Sequence, residues 1–105
     1  MYLLIVRLQA RPDAVDALCR QLSTLVALAR EEPCTLAYSF YRAHDEPGGF
    51  LLHEVYRDRA AWEAHMASEP VRRALATFDA LLVAPPAVTS GDLVEAHGLT
   101  LGLTV

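Results

Sequence analysis

Two residue types are missing altogether from this chain of 105 residues: lysine and asparagine. Without lysine there is no Schiff-base chemistry and no ammonium group to act as acid or base. Without asparagine no mechanism can rely on that side-chain amide. Positive charge is scarce in general. Nine basic residues, all arginine, stand against thirteen acidic ones, for a net charge of −4, and no long basic run occurs. A nucleic-acid partner would need a cationic patch to neutralise phosphates, so none is expected. No apolar run is long enough to cross a bilayer and no secretory core follows a basic start, so the chain is expected to be cytoplasmic, with no membrane partner. Cysteine is limited to Cys19 and Cys34. Their spacing fits neither a CxxC pair nor a metal site, and two buried thiols in a reducing compartment are expected, with no metal centre.

What is present is apolar and periodic. At 53% hydrophobic residues, the chain carries more apolar surface than one small core absorbs, which points to a single domain over residues 1–105 that associates with a second copy. Tyr2 to Leu8 reads as a strand apolar on both faces, Leu3 and Ile5 on one and Tyr2, Leu4, Val6 and Leu8 on the other. Arg11-Pro12-Asp13 opens a helix with Val15, Leu18, Leu22, Leu25 and Ala29 at helical spacing, closed by Pro33. Cys34 to Arg42 and Phe50 to Arg57 read as two strands joined by the turn-rich segment Ala43 to Gly49. Asp58 is placed to cap a helix carrying Trp62, His65 and Met66. Ser68-Glu69-Pro70 restarts it, and Val71, Leu75, Phe78 and Leu82 form a second stripe, ended by Pro85-Pro86. Ala87 to Thr89 supplies a fourth strand, with Ser90-Gly91-Asp92 interrupting it and Leu93 to Ala96 resuming. The tail, about residues 97–105, alternates once more and is expected to add a strand to a partner subunit.

The order βαββααβ is that of a ferredoxin-like split βαβ sandwich of the α+β class, an antiparallel sheet with its helices on one face. The other face is then bare. Because the first strand is apolar on both sides, the bare face is expected to pack against a second copy, giving a homodimer built sheet to sheet as a dimeric α+β barrel.

One residue is out of place in that pattern. Glu54 falls on the third strand in the set Phe50, Leu52, Glu54, Tyr56, which otherwise faces the core. His65 follows on the next helix. The run F-L-L-H-E-V-Y-R-D-R-A-A-W-E-A-H-M-A-S-E-P, preceded by A-R-E-E-P-C and followed by L-L-V-A-P-P, resembles the antibiotic biosynthesis monooxygenase domain over roughly residues 1–90. Glu54, the aromatic Tyr56, His65 and the Ser68-Glu69-Pro70 break match that pattern. The resemblance implies a dimeric ferredoxin-like protein and an activity from a mixed set: cofactor-independent monooxygenases of polycyclic aromatics, quinol monooxygenases, haem-degrading enzymes, or an isomerase of a phosphorylated sugar. The haem-degrading branch uses Asn, Trp and His. Here there is no Asn, His65 stands at the Trp position, and Leu75 lies near the haem-ligating position. The pattern's usual Pro-Gly before the second strand is Pro33-Cys34 in this chain.

Cofactor-free oxygenation requires a base in a pocket that excludes water, a group that orients the base, and donors for the developing oxyanion. His65 is the candidate base, and Glu54 is its candidate partner or competitor. Trp62, Tyr56, Tyr38, Phe40 and Phe78 are expected to line the substrate site, Trp62 by stacking on a flat ring and the tyrosines, with Tyr41, by hydrogen-bonding an oxygen. No cofactor is expected. The plainer reading of each is structural: Glu54 and His65 pinning a helix to the sheet, Trp62 as core, the tyrosines as sheet residues. The leading expectation is a monooxygenase acting on a small phenol, hydroquinone or anthrone-like compound. The alternatives are an isomerase of a small carbonyl or phosphorylated compound and a non-catalytic binding or dimerisation module. A cavity between helices and sheet, and what lines it, discriminates among them.

Overall fold

The computed structural model of the chain describes residues 1–98. Four antiparallel strands, β1 (Tyr2–Gln9), β2 (Thr35–Arg42), β3 (Gly49–Tyr56) and β4 (Ala87–Asp92), lie in the order β2-β3-β1-β4. With α1 (Val15–Arg30), α2 (Arg59–Ala67), α3 (Glu69–Leu75) and α4 (Phe78–Leu81) packed against one face of the sheet, this is the ferredoxin-like arrangement. Among the described residues no helix is long and apolar enough to cross a membrane. Most of the tail expected to pair with a partner, residues 99–105, lies outside the described residues.

The period-two pattern explains which face is covered. Leu4, Val6 and Leu8 of β1, with Phe50, Leu52, Glu54 and Tyr56 of β3, are all buried toward the helices, while Ile5 and Arg7 point the other way and are exposed. The strand register aligns these residues in rows: Tyr38, Glu54 and Leu4 are consecutive neighbours across three strands, as are Phe40, Leu52 and Val6. α1 seats Leu18, Leu22 and Leu25, each fully buried, on this surface. Each such side chain contributes about 1.5–3 kcal/mol relative to exposure. The β2–β3 hairpin turns at Gly48, whose φ of 76° suits glycine and whose carbonyl accepts the Ala10 amide at 2.9 Å.

Four sequence expectations are corrected. α1 begins at Val15, because Pro12 and Asp13 lie in a turn before it, and its N-cap Ala14 supplies no side-chain cap. The stripe Val71–Leu82 is not one helix. It breaks after Leu75, where the Thr77 hydroxyl donates to the Ala74 carbonyl at 2.7 Å, and Ala74 rather than Leu75 is the buried residue. Such a side chain competes with the backbone for the carbonyl and ends the helix. β4 runs without interruption from Ala87 to Asp92, since Ser90, Gly91 and Asp92 pair with Leu4, Leu3 and Tyr2, whereas Leu93 to Ala96 form no strand. Cys19 and Cys34 are free but only half-buried.

Candidate functional site

Local sequence builds the second helical layer. Asp58 caps α2, its carboxylate accepting the Ala61 amide at 2.9 Å. From that start, Trp62, His65 and Met66 fall three and four residues apart, on one helical face. Ser68 then ends α2 and caps α3, its hydroxyl accepting from the Val71 amide. Between these short helices and the sheet lies a cavity of about 280 Å³. Its walls are Leu4, Val6, Leu8 and Leu52 from the sheet, Trp62, His65, Met66, Leu75 and Phe78 from the helices, and Pro86 and Val88 from the last strand and its approach. Among the described residues, Tyr38, Glu54, His65 and Asp79, beside the Trp62 indole, are those that bring polar atoms to this otherwise apolar lining.

Glu54 is 5% exposed. Its Oε1 accepts the Tyr56 hydroxyl at 2.5 Å. Burial raises its pKa above the usual carboxylate value, against the opposing pull of the Tyr56 hydrogen bond and of His65. Tyr56 and Tyr38 are both pushed above the ordinary phenol value, first by burial and then by the charge of Glu54. Both therefore remain phenols, available as hydrogen-bond donors.

His65, 3% exposed, is held between two tilted aromatic rings, with centroids 5.5 Å away at Tyr38 and 5.3 Å away at Tyr56. Its hydrogen-bond partner is not Glu54. The Nδ1–H donates to Glu32, at 2.7 Å to Oε1 and 3.0 Å to Oε2. An ionised carboxylate can only accept, so the shared proton is assigned to Nδ1, an arrangement in which a neutral ring has its lone pair on Nε2. Glu32 is steadied in turn by the Thr35 hydroxyl, which donates to Oε1 at 2.7 Å. The direct Glu54–His65 hydrogen bond expected from the sequence is thus replaced by two separate pairs, Tyr56–Glu54 and His65–Glu32.

The other expected residues divide cleanly. Tyr38, Trp62 and Phe78 line the cavity with Glu54 and His65. Tyr56 does not; it is fully buried behind Glu54 and acts on the cavity through that carboxylate. Phe40 is also absent from the lining and packs instead on Phe50, with centroids 6.3 Å apart. Tyr41 lies on the uncovered face of the sheet, its hydroxyl accepting from Ser39. Trp62 packs against Tyr2 with ring centroids 5.4 Å apart and planes tilted by 36°, and its indole N–H is buried with no acceptor among the described residues. Glu32 is the residue that the sequence reading missed, although it lies within the A-R-E-E-P-C segment. Its signal was a carboxylate between a helix end and Pro33, a pattern that ordinarily marks only a solvated loop. Among the described residues no cluster of three or more His, Cys, Asp or Glu is arranged to hold a metal ion.

Comparisons with known proteins agree with this fold. The sequence profile of the antibiotic biosynthesis monooxygenase family matches residues 1–77. A Mycobacterium tuberculosis protein provisionally named as a monooxygenase, Rv0793, is 35% identical over 85 residues, 81% of this chain and 83% of that protein. Its structure superposes with a TM-score of 0.85 over 90% of this chain and 96% of its own. The structure of PA3566 from Pseudomonas aeruginosa, 30% identical, gives a TM-score of 0.81 over 90% and 94% of the two chains. An uncharacterized Synechocystis protein, sll1783, is 27% identical over 92 residues, and the match spans 88% of this chain but only 63% of that longer protein. A profile match over most of the sequence and a shared fold at 30% identity or more lead to one conclusion: the chain belongs to the antibiotic biosynthesis monooxygenase family.

Proposed function

We propose that this protein is a cofactor-independent monooxygenase that oxidises a small phenol, hydroquinone or anthrone-like aromatic with O₂. The observation that carries the reading is a buried histidine in the wall of an apolar cavity, its Nδ1–H held by Glu32 and its Nε2 left to act as a base. Removal of a substrate proton by Nε2 leaves an electron-rich anion against largely apolar walls, and that anion reduces O₂. For a hydroquinone the balance closes without any other reductant. Hydroquinone and O₂ give the hydroxyquinone and water, with all four electrons coming from the substrate. Tyr38 supplies a neutral donor for the developing oxyanion, and Trp62 and Phe78 offer flat walls to an aromatic ring. A volume of about 280 Å³ lies at the lower end of ligand pockets, which span roughly 300–1,000 Å³. That favours one- and two-ring substrates over larger polycyclic ones.

The cavity opposes a phosphorylated substrate and a module that only dimerises. A phosphorylated substrate would need a cationic anchor, yet among the described residues no arginine lines the cavity and two carboxylates, Glu54 and Asp79, do. A module serving only to dimerise would have its helices packed down onto the sheet. The test is O₂ uptake on a panel of benzo- and naphthohydroquinones and anthrones. Activity on at least one is expected, with a fall of about 100-fold or more in His65→Ala; unchanged uptake in that variant would sink His65 as the base.

We further infer that a second copy covers the bare face of the sheet. Ile5 and Tyr41 on that face are 37% and 54% exposed, an arrangement that suits an apolar interface. Sedimentation of the wild type is expected to give a dimer, and Ile5→Glu a shift toward monomer.

A further inference from the structure

His65 forms part of two walls at once. The residue borders the apolar cavity and also a second groove of about 410 Å³, where Glu32, Thr35, Arg57 and Ser68 bring polar atoms. The Glu32–His65 pair spans the boundary between them. The His65 side chain is 2% exposed, whereas that of Glu32 is 24% exposed, so the 2.7 Å hydrogen bond leads from a closed group to one that meets solvent.

Local structure holds this bridge in place. The Glu32 amide donates to the Ala29 carbonyl at 3.0 Å, which fixes the residue just past the end of α1. Thr35 is paired opposite Tyr56 at a strand irregularity between Thr35 and Ala37, and from there its hydroxyl reaches Glu32. A carboxylate needed only to orient the imidazole could be as buried as the ring it orients. This one sits on the solvent side.

We propose that Glu32 and His65 form a proton conduit between the cavity and the groove, with Glu32 as the group that exchanges protons with water. The proposal deepens the oxygenase reading and rests on His65 being the base in that reaction. On the outward leg, the substrate O–H or C–H bond breaks, its electron pair stays on the substrate, and its proton bonds to Nε2. The Nδ1–H bond then breaks as Glu32 takes that proton, and Glu32 releases it to water in the groove. On the return leg Glu32 gains a proton from water and passes it to Nδ1, while Nε2–H protonates the peroxide oxygen that departs as water. Each turn of the relay leaves His65 and Glu32 as they began. Of the carboxylates near His65, Glu32 is the one hydrogen-bonded to its ring, so it offers the proton a direct way out of the pocket.

The experiment is NMR of the imidazole groups in ¹⁵N-labelled protein, which needs no substrate. His65 is expected as the Nδ1–H tautomer, with that proton exchanging rapidly with water in saturation-transfer measurements. Glu32→Gln keeps an oxygen for Nδ1–H but cannot take the proton. The tautomer is expected to persist while exchange slows by about tenfold or more. Glu32→Asp, which keeps a carboxylate, is expected to exchange rapidly. Equal exchange in the wild type and Glu32→Gln, or a wild-type His65 resting as the Nε2–H tautomer, would overturn the conduit. Should Glu32→Gln fail to fold, Glu32→Asp decides: wild-type exchange supports the conduit, and a tenfold slowing overturns it. Failure of every aromatic in the O₂-uptake panel would overturn the oxygenase reading instead, and the exchange data would still stand or fall on their own.

Discussion

The helical layer has two unlike parts, and both rest on the same face of one sheet. α1 is a single helix of 16 residues whose buried positions, Leu18, Leu22, Leu25 and Ala29, are all aliphatic. The second part is three pieces of 9, 7 and 4 residues, with His65 buried from the first, Val71 and Ala74 from the next, and Phe78 from the last. A continuous helix presents an unbroken stripe and fills the space above the strands. Three short ones, each restarted by a cap or a competing hydroxyl, cannot. The cavity with Glu54 and His65 in its wall lies under the broken part. The comparison teaches that the pocket follows from where helices stop as much as from which side chains they carry.

The sharpest way to break that contrast is truncation on each side. Leu22→Ala beneath α1 is expected to cost about 2–5 kcal/mol, since its neighbours are fully packed, whereas Leu75→Ala beside the existing cavity should cost under about 1 kcal/mol. Urea denaturation measures both, and equal losses would mean that the two parts are packed alike. Next in size is Asp58→Ala. Loss of the cap on α2 is expected to cost about 1 kcal/mol, with a weaker hold on Trp62 and His65 visible as changed imidazole NMR signals. A smaller gain is expected from filling the hollow. Leu75→Phe should raise stability by about 0.5 kcal/mol or more while abolishing binding of aromatic ligands in a calorimetric titration.

The subtlest prediction is a slope rather than a step. Burial holds Glu54 above the ordinary carboxylate value of 4.5, so over an interval above that value the native state keeps a proton that the unfolded chain has released. Stability contributed by Glu54 is therefore full below the ordinary value, is lost as pH rises toward the native value, and levels off beyond it. Glu54→Gln, which can still accept from Tyr56, should remove that loss. Thermal melts across pH would show the variant gaining on the wild type as pH rises. Parallel curves would mean that Glu54 is not held out of water as its 5% exposure indicates.

Much of this was legible in the chain. Alternation in Tyr2–Leu8 and Phe50–Tyr56 sufficed to set Glu54 against the core, and Asp58 and Ser68 announced the two helix starts where they occur. The misreadings share a cause. The stripe from Val71 to Leu82 gives no sign of a break, because the competition of Thr77 for the Ala74 carbonyl is a three-dimensional event. Ser90-Gly91-Asp92 looked like a breaker, because pairing with β1 overrides weak strand propensity. Phe40 and Tyr56 share a face with Glu54, yet facing the helices does not amount to lining the cavity.

By itself, then, the sequence determined the order of the strands and of the helices up to α3, the two faces of the sheet and the presence of a carboxylate and a histidine in one unit, since all of these depend on local period and capping. Only the tertiary structure decided who pairs with whom. Glu32 and His65 are 33 residues apart, and nothing periodic links a loop carboxylate to a helical imidazole. Their contact exists because the end of α1, the irregular start of β2 and the last turn of α2 are brought to one corner of the fold. There the imidazole finds a partner with access to water, while Glu54, nearer in sequence, is occupied by Tyr56.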